Sequence, residues 1–195
     1  MSIVDKLNVE LNKIAQIKEP VKKNIEFMAL LTEQVHKVNE NVTPVIVGGS
    51  AVLIYTLGGH LTYDIDIVAN NLKVVQEALQ KLGFSKTSGR HFYQKDLDIA
   101  VEIPDDSLAG DVSKLTTIQV EEKKVFLIGI EDIVIDRLCS AKHWKYDRDE
   151  AQSITLVKMY MDKIDWVYLN QRAKEEDILD KLEEVLRQVD ALSEI

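Results

Sequence analysis

A chain of 195 residues with 46% apolar and 29% charged side chains is ordinary globular composition, enough for one domain or one domain with a helical extension, and it excludes wholesale disorder. A formal net charge of −9 disfavours a non-specific nucleic-acid binder, which needs many phosphate contacts from Lys and Arg. The single cysteine, Cys139, excludes an internal disulfide and a CxxC metal site, and no segment approaches the ~20 apolar residues of a membrane span.

The opening MSIVDKLNVELNK carries acids and lacks a continuous apolar stretch, so it does not read as a secretory signal. With the cysteine usage, this makes a reducing cytoplasm the expected compartment, with no membrane partner. Charge is unevenly placed. Residues 174–195 hold eight acids against Lys174, Lys181 and Arg187, whereas 137–148 gather Arg137, Lys142, Lys145 and Arg148 against Asp147. A local basic pocket on an acidic protein suits a small anionic ligand better than a long polyanion.

The apolar spacing predicts a helix over 4–15, with Leu7, Leu11 and Ile14 on one side, and a second from Pro20 toward Lys37. Pro44 to Val47 reads as a short buried strand ending on Gly48-Gly49-Ser50, and 51–57 as a helix stopped by Gly58-Gly59. Thr62 to Ala69 alternates as a strand around two aspartates, and Leu72 to Leu82 is an amphipathic helix closed by Gly83. Strands are expected near 90–94 and 96–103, turning at Gln94-Lys95, then at 116–120 and 125–128, turning on residues 121–124. Helices follow at about 131–143, 148–161, 165–173 and 175–193. Helices, a mostly antiparallel sheet, then helices make an α+β arrangement, with residues 1–130 as the core and 131–195 as a helical region packed on it.

Three features carry chemistry. Gly48-Gly49-Ser50 opens a helix, where free backbone N–H groups and the helix dipole favour a phosphate, and Ser50 can cap the helix or donate its hydroxyl. Asp64 and Asp66 stand two apart in a strand, so both carboxylates leave one face. Such neighbours repel unless one is protonated or a cation sits between them, and hard oxygen donors suit Mg²⁺. Asp96, Asp98 and Glu102 share one parity on a later strand, so any of them can face the pair and complete a two-metal site or accept a proton.

A strand ending in Gly48-Gly49-Ser50, thirteen intervening residues, Asp64-x-Asp66 and a third acid on a later strand together resemble the polymerase-β-like nucleotidyltransferase superfamily. More narrowly, VGGSAVLIYTLGGHLTYDIDIV, GRHFYQKDLDIAVEIP and IGIEDIVIDRL are similar to small bacterial and archaeal nucleotidyltransferase-like proteins related to minimal and abortive-infection toxin nucleotidyltransferases. The resemblance covers roughly residues 44–155 and implies the nucleotidyltransferase fold. It also implies transfer of a nucleoside monophosphate from a triphosphate, with Mg²⁺ or Mn²⁺, onto an acceptor hydroxyl of a small molecule, a protein or a tRNA.

Carried over by residue, Gly48, Gly49 and Ser50 would hold phosphates, and Asp64, Asp66 and Glu102 the metal, with Asp98 as the alternative third ligand. Arg90 resembles a recurrent arginine that pairs with a phosphate or stabilises a hairpin. Arg137 and Lys142 are candidates for gripping the triphosphate. His36, His60 and His91 are scattered without zinc-ligand spacing. Ile178, Leu182, Val185, Val189 and Leu192 form a heptad-like stripe, read as core-facing, with a homodimer or antitoxin contact left open. The competing reading is a catalytically inactive module that binds a nucleotide or a partner, as one half of a toxin–antitoxin pair would.

Overall fold

The computed structural model describes residues 3–193, which form two units. One runs to Leu108 and resumes over Leu115–Leu127; the other takes Ala109–Lys114 and the chain from Ile128 onward.

In the first unit, helices α1 (Ile3–Ala15), α2 (Pro20–His36), α3 (Gly48–Tyr55) and α4 (Leu72–Lys81) accompany seven strands. These are β1 (Val45–Ile46), β2 (Asp64–Val68), β3 (Ser85–Ser88), β4 (His91–Gln94), β5 (Ile99–Glu102), β6 (Thr116–Val120) and β7 (Lys123–Leu127), in the sheet order β3-β4-β5-β2-β1-β7-β6. The β2–β5 and β1–β7 pairs are parallel and the other four are antiparallel, giving the mixed, mostly antiparallel α+β sheet expected. Helix starts follow local chemistry. Glu19 accepts the N–H groups of Val21 and Lys22 ahead of α2, with Pro20 in the first turn where its missing N–H costs nothing. Asn71 caps α4 by accepting the Val74 N–H, and Gly83, at φ +83°, ends it. Phe27, Leu30 and Leu31 of α2, Ile46, Leu53, Ile65, Ile67, Leu79, Phe92 and Val101 are almost wholly buried and form the core of this unit. Phe27 and Phe84 stack with ring centroids 5.1 Å apart.

The expected element bounds need four corrections. The helix expected at 51–57 begins at Gly48, so the glycines lie within its first turn rather than before it. The strand at Ser85–Ser88 gives no signal in the sequence, because its side chains are all exposed and leave no buried face to produce alternation. The last hairpin turns on Glu121-Glu122 alone, with Glu121 at φ +52°, a tight two-residue loop rather than four residues. The expected strand 96–103 starts only at Ile99. Lys95 to Asp98 form the turn, where Leu97 N–H is held by the Gln94 side chain and Asp98 adopts φ +51°. The shared parity of Asp96, Asp98 and Glu102 therefore does not exist.

The second unit contains α5 (Ile130–Trp144), α6 (Asp147–Tyr160), α7 (Trp166–Glu175) and α8 (Leu179–Ser193), with a 3₁₀ turn at Val112–Lys114. Asp165 caps α7 through the Tyr168 N–H, and Lys145 closes α5 in the left-handed region. Ile133, Val134, Leu138, Leu156, Val157 and Leu169 are buried together with Ile178, Leu182, Val185 and Val189, so most of the α8 stripe faces the core of its own unit, and Leu192 is exposed. Asp132, almost wholly buried, accepts from Tyr168 Oη at 2.7 Å and from Asp111 N at 3.0 Å. Among the described residues no helix is long and apolar enough to cross a membrane.

Candidate active site

Strand β2 sets the site by its pleat. Ile65 and Ile67 are buried at 2% and 0% exposure, which turns Asp64 and Asp66 to the opposite face, both half-buried. The Gly48-Gly49-Ser50 turn is built around Asp66. Gly48 stands at φ +56°, and a Cβ there would lie 2.6 Å from Asp66 Oδ2, so only glycine fits. The Gly49 N–H donates to that oxygen at 3.1 Å. The buried Ser50 hydroxyl accepts the Asp66 N–H at 3.0 Å and donates to the Val47 carbonyl at 3.0 Å. Ser50 thus pins the start of α3 to β2, and Asp66 supplies the cap that Val47 does not.

Glu102 arrives from the next strand. In the parallel β2–β5 ladder it stands opposite Asp66, with Ala100 opposite Asp64. Burial first, and then the charges of Asp64 and Glu102, push the Asp66 carboxyl up to about 6, against the lowering effect of the Gly49 and Ser50 amides. Thr62 Oγ1 donates to Asp64 Oδ1 at 3.2 Å. Asp64 and Glu102 offer carboxylate oxygens within 4.8 Å of one another, with Asp66 opposite Glu102 in the ladder, an anionic donor set that fits a hard divalent cation such as Mg²⁺ or Mn²⁺.

The other expected residues are placed as follows. Arg90 Nε lies 2.5 Å from Glu102 Oε1, so it pairs with the third carboxylate from the β3–β4 turn. Asp98, outside the β5 ladder, accepts from Tyr93 Oη at 2.8 Å. Arg137 and Lys142 belong to the second unit. Arg137 pairs there with Asp136 and with the buried Asp149, and Lys142 with Asp180 at 2.8 Å and with the Asp177 carbonyl. Sequence spacing passed over His91. The β4–β5 register sets it opposite Glu102, and donor atoms of Asp64, His91 and Glu102 all lie within 4.8 Å of one another. Its only signal in the sequence was strand pairing, which spacing along the chain does not reveal. A cleft of about 670 Å³ opens on the Asp64 side, lined among others by Lys18, Lys23, Asn24 and Tyr63.

Comparison with known proteins adds to this geometry. Over 83% of this chain and 98% of the other, the solution structure of the antibiotic-resistance factor ANT(2'')-Ia is similar at 14% identity and a TM-score of 0.48. An antigenic nucleotidyltransferase-like protein from Paracoccidioides brasiliensis is similar over 86% of this chain and 89% of its own, at 16% identity and a TM-score of 0.62, which shows a shared fold. No curated protein matches in sequence. The family described as "nucleotidyltransferase of unknown function (DUF6036)" matches residues 24–192, which span both the Gly48-Gly49-Ser50 turn and the carboxylates, and the chain belongs to that family.

Proposed function

We propose that the protein transfers a nucleoside monophosphate from a nucleoside triphosphate to an acceptor hydroxyl, using a divalent cation held by Asp64, Asp66 and Glu102. The observation that carries this reading is the register of β2 and β5, which brings Glu102 beside an aspartate whose carboxyl is pushed up to about 6. Such a cluster is costly to leave without a counter-charge, and family membership supports a nucleotide as the substrate. When bound, the cation supplies positive charge that screens the triphosphate oxygens from the carboxylates.

The chain's own residues do the positioning. Gly48 and Gly49 leave the start of α3 without side chains, which lets the Asp66 carboxylate close on the helix N-terminus. Asp66, tied to Gly49 N–H and to the Ser50 hydroxyl through its backbone, is fixed before any ligand arrives. In the reaction the acceptor oxygen forms a bond to the α-phosphorus, and the bond from that phosphorus to the bridging oxygen breaks. Pyrophosphate leaves, and the hydroxyl proton passes to a carboxylate oxygen of the cluster.

The test is incubation with each α-labelled triphosphate, Mg²⁺ or Mn²⁺ and a cell extract, beside the Asp64→Asn, Asp66→Asn double variant. Label should enter an acceptor only with the wild type. Equal transfer by the two proteins would sink the role given to these aspartates.

A further inference from the structure

We infer that His91 is a ligand of the divalent cation, and that the resulting mixed nitrogen and oxygen donor set favours a first-row transition ion such as Mn²⁺ over Mg²⁺. The inference rests on the metal-dependent reading above and specifies its metal. It begins from the two oxygens of Glu102. Arg90 holds Oε1 at 2.5 Å, and Oε2 lies 4.0 Å from His91 Nδ1. That gap is too long for a hydrogen bond, yet donors about 2.1 Å from one octahedral ion stand roughly 3–4 Å apart. The Glu102 carboxylate is thus divided. One oxygen is spent on a guanidinium that fixes its orientation, and the other is presented toward an imidazole.

Asp64 completes the set, since its carboxylate oxygen lies within 4.8 Å of the other two donors. The backbone fixes this grouping rather than a chance rotamer. His91 is the ladder partner of Glu102 on one side, and Asp66 is its partner on the other. The His91 side chain is 45% exposed, so an ion there retains room for water and for phosphate oxygens. Mg²⁺ is a hard ion that takes oxygen donors and dehydrates reluctantly, whereas imidazole suits the transition series, whose affinities rise from Mn²⁺ onward. A nitrogen donor among two carboxylates therefore discriminates by chemistry, not by size.

The experiment uses the full chain stripped of metal and titrated with Mn²⁺ alone, followed by electron paramagnetic resonance with detection of nitrogen coupling, and then by competition with Mg²⁺. The wild type should bind Mn²⁺ with a nitrogen coupling and about tenfold more tightly than Mg²⁺. His91→Asn and His91→Gln, checked for an unchanged circular dichroism spectrum, should lose the coupling and about tenfold in Mn²⁺ affinity, with Mg²⁺ affinity nearly unchanged. Mn²⁺ bound without nitrogen coupling, or equal losses for both ions in the variants, would overturn the role of His91 while leaving the carboxylate site intact. Absence of Mn²⁺ binding, or binding unaffected by Asp64→Asn, would overturn the metal reading itself and His91 with it.

Discussion

The two units treat buried acids in opposite ways. In the helical unit each has its partners. Asp132 accepts from Tyr168 and Asp111, with Arg172 at 3.9 Å, and Asp149 is bound by Arg137 and Ser140. In the sheet unit Asp64, Asp66 and Glu102 converge on one face. Arg90 pairs with Glu102, yet the Asp66 carboxyl is still driven up to about 6. A buried acid matched by donors is a tie in the fold, because its charge is already answered. Acids set side by side raise one another's proton affinity even where each has a donor, and that difference, more than acidity itself, separates the two clusters.

The largest effect expected is on chemistry. Asp64→Asn should lower nucleotide transfer by about a thousandfold while leaving urea unfolding little changed, because it relieves repulsion rather than breaking a tie. Asp132→Ala should do the reverse. With Tyr168 Oη and the Asp111 N–H left unpaired, it should cost about 3 kcal/mol in denaturant unfolding without altering metal affinity in titration. If Asp64→Asn destabilised as much as Asp132→Ala, the contrast between the units would fail.

A pH series sharpens the same contrast. Burial, and then the charges of Asp64 and Glu102, push the Asp66 carboxyl up to about 6 in the folded chain from the ordinary value of 3.8, so folding takes up a proton between these values. Its contribution is full below pH 3.8 and is lost as pH rises through 6, by up to about 3 kcal/mol. Thermal unfolding of the metal-free protein between pH 4.5 and 7.5 should show this loss, and Asp66→Asn should remove it. Added divalent cation should also oppose it, most strongly above pH 6.

The smallest effect belongs to Gly48→Ala. It should cost about 1–2 kcal/mol, because an L-residue is forced to φ +56°. It should also weaken metal binding, because the added methyl group meets Asp66 Oδ2. Calorimetry of both folding and metal binding separates the two consequences.

Much of this was legible in the chain. The aspartate pair was visible because Ile65 and Ile67 alternate with it, and the long helices because their apolar spacing is regular over many residues. Family resemblance points to Glu102 as the third carboxylate, and the register sets it opposite Asp66. Asp96 and Asp98 read as strand residues because the buried Leu97 of the turn continues the alternation of Ile99 and Val101. His91 was invisible for a different reason. Nothing along the sequence connects it to Glu102; only the antiparallel pairing of β4 with β5 does. Likewise Gly48 and Gly49 read as a phosphate cradle, and the close approach of Asp66 to them emerges only in three dimensions.

On the proposed function, the carboxylate cluster recruits a triphosphate through a cation. Equilibrium dialysis of labelled nucleoside triphosphates, with and without Mn²⁺ or Mg²⁺, tests it directly on the wild type and on Asp66→Asn. Binding should require the cation in the wild type and should lose that dependence in the variant. Binding that is as tight without any divalent ion, or that keeps the same metal dependence after Asp66→Asn, would contradict it.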